Sequence, residues 1–574
     1  MKNAEVASIF TALADLLEIK GENPFRIRAY RRAALSVNSL GKDISALSEA
    51  DLLEIPGIGK DLAGKITEYL NSGKIEAYER LKQELPEGLT TLLSVPGLGP
   101  KTVNLLYREY HVSDIDQLEK LAIAHKLSEL RGIKEKTESG ILKGIEMIRR
   151  YAARYPLGKV LPISLEIEEY LKATAPIGRI EVAGSIRRWK ETVRDIDIIC
   201  TSKDPHTVMK MFTGMPDIRQ VIMKGPTKSS VLIKSGIQVD LRVVEEDSFG
   251  SALAYFTGSK EHNIRLRELA VRAGLKLNEY GIFREKDSRK LGGRDEVDVY
   301  KVLGLQFVPP ELREARGEIE AAQSNALPGL VDLKDIRGDL HVHSTWSDGS
   351  MEIEELVQEQ IRKGYAYTAL TDHSKGLGVA RGLSEERLLE QIAAVKAFNR
   401  KLKGFRILTG TEVNIRTDGS LDFDDGMLGR LDVVIASVHS GFKQSKEQLT
   451  QRIITAMQNP HVSVIGHISG RLIGERDAYD LDMDKVLDTA ARTQTALEIN
   501  AYPLRLDLNE TYLKTARDKK VPIVISTDSH ARGHFVNMQY GVAIARRGWL
   551  EKKNVLNTLP VEKLLKKFSR KSAV

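Results

Sequence analysis

The sequence predicts a multidomain protein, helical at its amino-terminal end, mixed α+β through its middle and α/β from about residue 336 onward. Three observations predict it. At 574 residues the chain far exceeds what one hydrophobic core organises. A turn of the form apolar-Pro-Gly-apolar-Gly, followed by a helical stretch, recurs at Ile55 and Val95. Beyond residue 336, seven short apolar runs each end in polar side chains. An apolar content of 42% with 29% charged residues describes a chain that folds along its length. The opening MKNAEVASIFTALADLLEIKG has apolar residues at helical spacing with acids between them, unlike a secretory leader, and no apolar run approaches membrane-spanning length. A cytoplasmic protein with no membrane partner is expected. The lone Cys200 forms no internal disulfide and reads as a buried thiol. A net charge of +7 is compatible with nucleic acid but does not require it.

At the amino-terminal end the repeated segments are IPGIGKDLAGKITEYL and VPGLGPKTVNLLY, with LRGIKEKTESGILKGI from Leu130 as a degraded third copy. Gly57 and Gly59, and Gly97 and Gly99, permit a tight turn and a close backbone approach, and the helix start beyond them presents unpaired N–H groups to an anion. One copy would be an ordinary turn. Repetition points to a phosphate clamp, and the segments resemble helix-hairpin-helix motifs, which hold DNA backbone without reading bases.

In the middle, RIEVAGSIRRWKETVRDIDIIC (residues 179–200) reads as two strands, and strand alternation puts Asp195 and Asp197 on one face. A third carboxylate, Asp240, lies in the apolar strand GIQVDLRVV. Adjacent carboxylates repel one another, and a divalent ion relieves that repulsion. Three of them can hold two hard cations for phosphoryl transfer.

With GS, RR, DID, a strand Asp and YFTGSKEHNIRLR (residues 255–267) in order, residues 1–315 resemble the family X DNA polymerases. The resemblance implies a helical domain at 1–86, a second helix-hairpin-helix region at 87–153, a nucleotidyltransferase palm like that of DNA polymerase beta at 154–243 and a thumb at 244–315. It implies Asp195, Asp197 and Asp240 as ligands of Mg2+ or Mn2+ beside the primer 3′-hydroxyl. Arg154, Gly184, Ser185 and Arg188 would hold the triphosphate, Tyr255, Phe256 and Gly258 would line the sugar pocket, Asn263 would face the base edge and Arg267 the template. Lys260 and Arg194 depart from the family's usual residues. The family's Schiff-base lysine falls at Lys65 and its supporting tyrosine at Tyr30, but two phosphate-binding lysines become Asp61 and Ala77 and a third becomes Arg26. Lys65 is therefore read as a DNA contact rather than a lyase nucleophile.

Residues 316–335, with prolines nearby and a polar run, read as a linker. From 336 to 574 the strand-like runs end in DLHVHSTWSD, YTALTDHS, RILTGTEV, VVIASVHSG, VSVIGHISG, ALEINAYP and PIVISTDSH. In a parallel barrel such ends gather on one face. His341, His343, Asp348, His373, Glu412, His439, His467, Asp528 and His530 would then converge, a donor set suited to zinc, manganese or iron. His461 and His534 fall outside the pattern.

This half resembles the PHP (polymerase and histidinol phosphatase) domain, a distorted seven-stranded α/β barrel, with all nine ligand positions filled. Together the resemblances imply a bacterial family X polymerase that fills short gaps in repair and carries a metal-dependent 3′–5′ exonuclease. Up to three Mn2+, Zn2+ or Fe2+ ions would sit in the barrel. Gapped or primed DNA and deoxynucleoside triphosphates would be the substrates of a monomer, and with no stretch left over for a processivity apparatus, synthesis should be distributive. Glu498, Asn500, Arg505 and Arg471 would position DNA phosphates. Two alternatives stand beside this reading: a polymerase fused to a small-molecule phosphatase, and a DNA-binding scaffold whose metals are structural.

Overall fold

In a computed structural model, which describes residues 2–569 apart from 39–42, 87, 94, 96–97, 131, 153 and 377, the chain divides into two compact units. One runs up to Ala152 and the other takes in the great bulk of the remaining residues. The first unit is helical and holds two apolar clusters. One is built from Phe10, Leu13, Leu17, Tyr30, Val37, Leu52 and Ile66, the other from Leu89, Leu92, Val103, Leu106, Leu118, Ile141 and Ile145. The repeat is visible in the backbone. Ile58 donates to the Ile55 carbonyl, Leu98 to Val95 and Ile133 to Leu130, at 2.9, 3.0 and 3.0 Å. Each turn then enters a helix: Lys60–Ser72, Pro100–Tyr110 and Glu135–Ala152. Gly57 takes a φ of 89°, which an L side chain rarely adopts.

The second unit opens on a five-stranded sheet whose order is Ile180–Val182, Asp195–Thr201, Gln238–Val244, Lys228–Ile233, Ile218–Lys224. The strand DIDIICT buries Ile196 and Ile198 on one face and leaves Asp195 and Asp197 on the other. QVDLRVV alternates in the same way and runs parallel to it, with Asp197 opposite Asp240 and Asp195 opposite Gln238. Cys200 is buried, as expected, and burial pushes its thiol up to about 12. Next in the chain come helices Phe249–Thr257, Lys260–Arg272 and Glu296–Val302, with a three-stranded antiparallel sheet.

Residues 316–335 differ from the expected linker. They include the helix Glu318–Gln323, whose Ile319 and Ala322 pack into the apolar cluster of Leu266, Val299 and Tyr300. Glu318 is fully buried there because His262 lies 2.7 Å from its carboxylate. The polar run thus hides an amphipathic turn whose one buried charge is paired.

The last 237 residues form seven strands in sequence order, all parallel: Gly338–Val342, Tyr367–Leu370, Arg406–Asn414, Val433–Ser437, Val464–Ile465, Ala496–Asn500 and Ile523–Ser526. Nearly every residue in them is buried, because helices cover the outside while side chains fill the inside. A parallel bridge between Val342 and Ser529 brings the first and last strands together into a nearly closed barrel. Among the described residues no helix is long and apolar enough to cross a membrane.

Candidate active sites

The carboxylate site sits where the two parallel strands begin. Asp197 and Asp240 are register partners, and Gln238 donates to Asp240 Oδ1 at 2.9 Å. Burial, reinforced by Asp195 and Asp240, pushes Asp197 up to about 7; burial and Asp240 also raise Asp195. Hard oxygen donors crowded in this way fit divalent ions.

Gly184 takes a φ of 63°, and a Cβ there would lie 2.4 Å from Asp197 Oδ2. Only glycine lets the chain pass this close to the carboxylate. If this is the nucleotidyl-transfer site that the sequence leads one to expect, changing Gly184 to Ala should displace Asp197 and lower single-nucleotide incorporation by ~10²-fold while gapped-DNA affinity stays unchanged; parallel incorporation and binding assays check this.

The other residues expected to meet nucleotide or template lie on this loop, on the segment before Tyr155 and on the helices Phe249–Thr257 and Lys260–Arg272. Arg154 donates through Nε to Thr192 Oγ1 at 2.8 Å and through Nη2 to the Thr192 carbonyl, just before Asp195. Ser185 is half-buried on the short helix Gly184–Arg187. Arg188 donates to Glu314 at 3.1 Å and to the Thr257 carbonyl, and packs against Gly258. Tyr255 and Phe256 meet edge to face, 5.0 Å between centroids. Asn263 donates to the Tyr255 carbonyl at 2.6 Å and Arg267 to the Asn263 carbonyl at 3.3 Å. Tyr255, Asn263 and Arg267 line one small pocket.

In the barrel the nine expected donors lie at or beyond the carboxyl ends of the strands, Asp348 on the turn that follows the first, and converge. Their ligand atoms form three overlapping groups, each within 4.8 Å: His343, Asp348, His373 and His530; His341, His343 and Asp528; His373, Glu412 and His439. His467 joins through Glu412, its Nε2 3.0 Å from Oε1. Burial pushes His343 down to about 3, helped by His530 and His373. Burial opposes ionisation of His530 as well, but the hydrogen bond to Asp348 and the charges of Asp528 and Asp348 together outweigh it and lift His530 to about 9.

His341 Nε2, both His343 nitrogens, His373 Nδ1, Glu412 Oε2 and His467 Nδ1 are buried with no hydrogen-bond partner. His373 Nδ1 stands 2.8 Å from Glu412 Oε2 yet lacks hydrogen-bonding direction. Orphaned donors of this kind, aimed at shared points, fit divalent cations.

Several residues behind these donors were not anticipated. Glu498, expected to position DNA, is wholly buried and instead accepts from His467 N at 2.6 Å and holds His341 Nδ1 at 2.7 Å. Asn414 Oδ1 holds His439 Nδ1 at 2.5 Å. Asp372 accepts from Ser344, Ser347 and Gln391, fixing the turn that carries Asp348. The signal was present in each case, because these polar residues also sit at the ends of apolar strands. Asn500 donates to Asp528 at 3.0 Å, and Arg505 Nε lies 3.8 Å from the same carboxylate. Arg471 donates to Glu191 at 2.8 Å and to the carbonyls of Arg505 and Leu506 through Nε and Nη2. His534 accepts from His530 N at 3.3 Å and so supports a donor without being one.

In the helical unit, Gly59 and Gly99 cap their helices without a side-chain bond, which leaves first-turn N–H groups for an anion. Gly97 lies outside the described residues. Lys65 is ion-paired with Asp61, the residue that replaces one of the expected lysines. Tyr30 is buried edge-on against Phe10.

Comparisons with known proteins fall along the same division. Family models match for a helix-hairpin-helix domain (residues 1–75), a SAM-like helix-hairpin-helix tandem (89–146), a DNA polymerase beta thumb (252–314) and a PHP domain (339–502). The DNA polymerase/3′-5′ exonuclease PolX of Bacillus subtilis is 41% identical over 97% of this chain and 97% of its own length. Rat DNA polymerase lambda is 25% identical over 54% of this chain and 56% of its own length. A probable phosphatase of Thermoanaerobacter is 31% identical over 38% of this chain and 89% of its own length.

Proposed function

The chain belongs to the PolX family of DNA polymerase/3′-5′ exonucleases, a family X polymerase joined to a PHP domain, and on that premise we propose that it fills short gaps in repair and trims 3′ ends at a separate site. The observation that carries this is the presence on one chain of two distinct clusters, the carboxylates Asp195, Asp197 and Asp240 on a palm sheet and the nine barrel donors around Glu412. Both depend on divalent metal. Mg2+ or Mn2+ suits the all-oxygen palm site, and the imidazole-rich barrel suits up to three Mn2+, Zn2+ or Fe2+ ions. When bound, such ions lower the pKa of an attacking hydroxyl or water and offset charge on the phosphate.

The chain's own residues do the rest. Arg154 and Arg188 bind triphosphate oxygens, with Ser185 and the open backbone at Gly184 beside them. Tyr255, Phe256 and Gly258 form the wall against the sugar, Asn263 meets the base edge and Arg267 the template. In the barrel, Glu498 and Asn414 orient His341 and His439, so that the imidazoles face one pocket. Gly57, Gly59, Gly97 and Gly99 grip DNA backbone, and Lys65, neutralised by Asp61, is a contact rather than a nucleophile. The domain limits are those set by the motifs: helical regions to 153, palm to 243, thumb to 315. The lone buried Cys200 suits a reducing cytoplasm, where the chain would act as a monomer.

Extension of a gapped duplex in Mg2+ under single-encounter conditions tests the reading. A few nucleotides added per encounter are expected, with 3′ trimming favoured by Mn2+; thousands of nucleotides per encounter would overturn gap filling as the role.

A further inference from the structure

The palm loop that carries Arg188 rests on the barrel domain. Helix Met538–Arg547, on the outside of the barrel, presents Tyr540 and Arg547, two turns apart and so on one face, to Arg188, Trp189 and Lys190. Tyr540 meets Trp189 edge to face at 5.8 Å, where Trp189 holds a φ of 54° that a bulky residue adopts only under support. Arg547 is 2% exposed. Its Nη1 donates to the Arg188 carbonyl at 2.6 Å and to Glu314 Oε1 at 3.2 Å, and its Nη2 donates to Glu510 at 2.8 Å. The same Glu314 oxygen accepts from Arg188 Nε at 3.1 Å. With Nη1 of Arg188 held by the Thr257 carbonyl, Nη2 is the nitrogen left to meet an anion.

We propose that Arg547 is a positioning residue for polymerisation, by which the barrel domain sets the palm's grip on the nucleoside triphosphate through Glu314 and Arg188. This rests on the reading of Arg188 as a triphosphate ligand. Glu314 divides its charge among Arg547 and Arg188, which share Oε1, and Lys190, whose Nζ lies 3.9 Å from Oε2. While Arg547 takes a share, Arg188 is held in one rotamer but remains open to phosphate, so the ordering of a long side chain precedes nucleotide binding. Without the forked Arg547 guanidinium, Glu314 Oε1 turns onto Arg188, with Lys190 left at Oε2, and competes with the triphosphate. A lysine at 547 keeps the charge but not the fork.

Steady-state gap filling therefore separates the roles. Arg547→Lys should raise the KM for nucleotide about tenfold with little change in kcat, and adding Glu314→Gln in that background should recover most of the loss by releasing Arg188. Arg546→Ala is the control: Arg546 also ties the two domains, to Glu311 at 2.6 Å and the Val331 carbonyl at 3.1 Å, but does not touch Arg188, and KM should stay as in the parent. Retained 3′–5′ exonuclease activity reports that each variant is folded. Should Arg547→Lys fail to fold, Tyr540→Leu, which withdraws support from Trp189 without unpairing a charge, should raise KM in the same way. An unchanged KM in these variants while Arg188→Ala raises it, or an equal rise in Arg546→Ala, overturns the positioning role alone. An unchanged KM in Arg188→Ala overturns the triphosphate reading of Arg188, and the positioning role with it.

Discussion

Changing Asp197 to Asn is expected to lower nucleotide incorporation by at least ~10³-fold while raising the melting temperature in metal-free buffer. Loss of function with gain of stability arises from the electrostatics of the palm. Burial and the neighbouring Asp195 and Asp240 lift Asp197 to about 7, above an unfolded value of about 4, so the fold disfavours the ionised form. That penalty is absent below about pH 4, grows between about pH 4 and 7 and is constant above. Asn removes it, so the variant's advantage should widen over the same window. Divalent ions should narrow the gap by stabilising only the parent. Thermal melts from pH 5 to 8 with and without Mg2+, beside incorporation on a gapped duplex, check both halves. Incorporation close to that of the parent would reject Asp197 as a metal ligand, and a variant that melts lower would mean that the carboxylate stabilises the sheet. Persistent DNA binding with lost incorporation would set aside the reading of the chain as a scaffold with structural metals.

The range over which each determinant acts decides how much of the molecule was legible in the sequence. Asp195 and Asp197 were legible because strand alternation is local: two residues apart in an apolar run fixes a shared face. The barrel donors were legible because each lies within a few residues of its own strand end, and topology gathers those ends without further information. Glu498 looked like one more such polar end. Only its complete burial and its bonds to His341 and His467, one of them spanning 157 residues, reveal that it orients donors rather than meeting DNA. Residues 316–335 looked like slack chain because the partner that permits Glu318 to be buried, His262, lies 56 residues away. The contact between Arg547 and Glu314 spans 233 residues and has no local signature, since an arginine at a helix end is ordinarily a solvated one. The Pro-Gly turns reproduced their backbone pattern even in the degraded copy at Leu130, because the turn is set by local hydrogen bonds rather than by the second glycine.

The barrel gives the opposite electrostatic case from the palm, and Glu412→Gln is the variant that isolates it. Glu412 is 1% exposed and reaches five imidazoles: Oε1 lies 3.0 Å from His467 and 3.3 Å from His439, and Oε2 lies 2.8 Å from His373, 3.5 Å from His341 and 3.7 Å from His343. Burial opposes its charge, but His439, His341 and His373 hold it well below the usual carboxylate range. Gln matches the shape and removes only the charge, the component that a divalent cation among neutral imidazoles most needs. Degradation of a 3′-labelled primer should fall more than ~10²-fold and bound metal per chain should drop by elemental analysis, with gap filling in Mg2+ unchanged. Because no palm residue is altered, a parallel collapse of incorporation would mean that the two sites do not act independently. If the variant loses its metal yet still degrades DNA, the nuclease lies elsewhere on the chain. The barrel would then be a phosphatase of small molecules, in keeping with its 31% identity to a probable phosphatase that it matches over 89% of that protein's length.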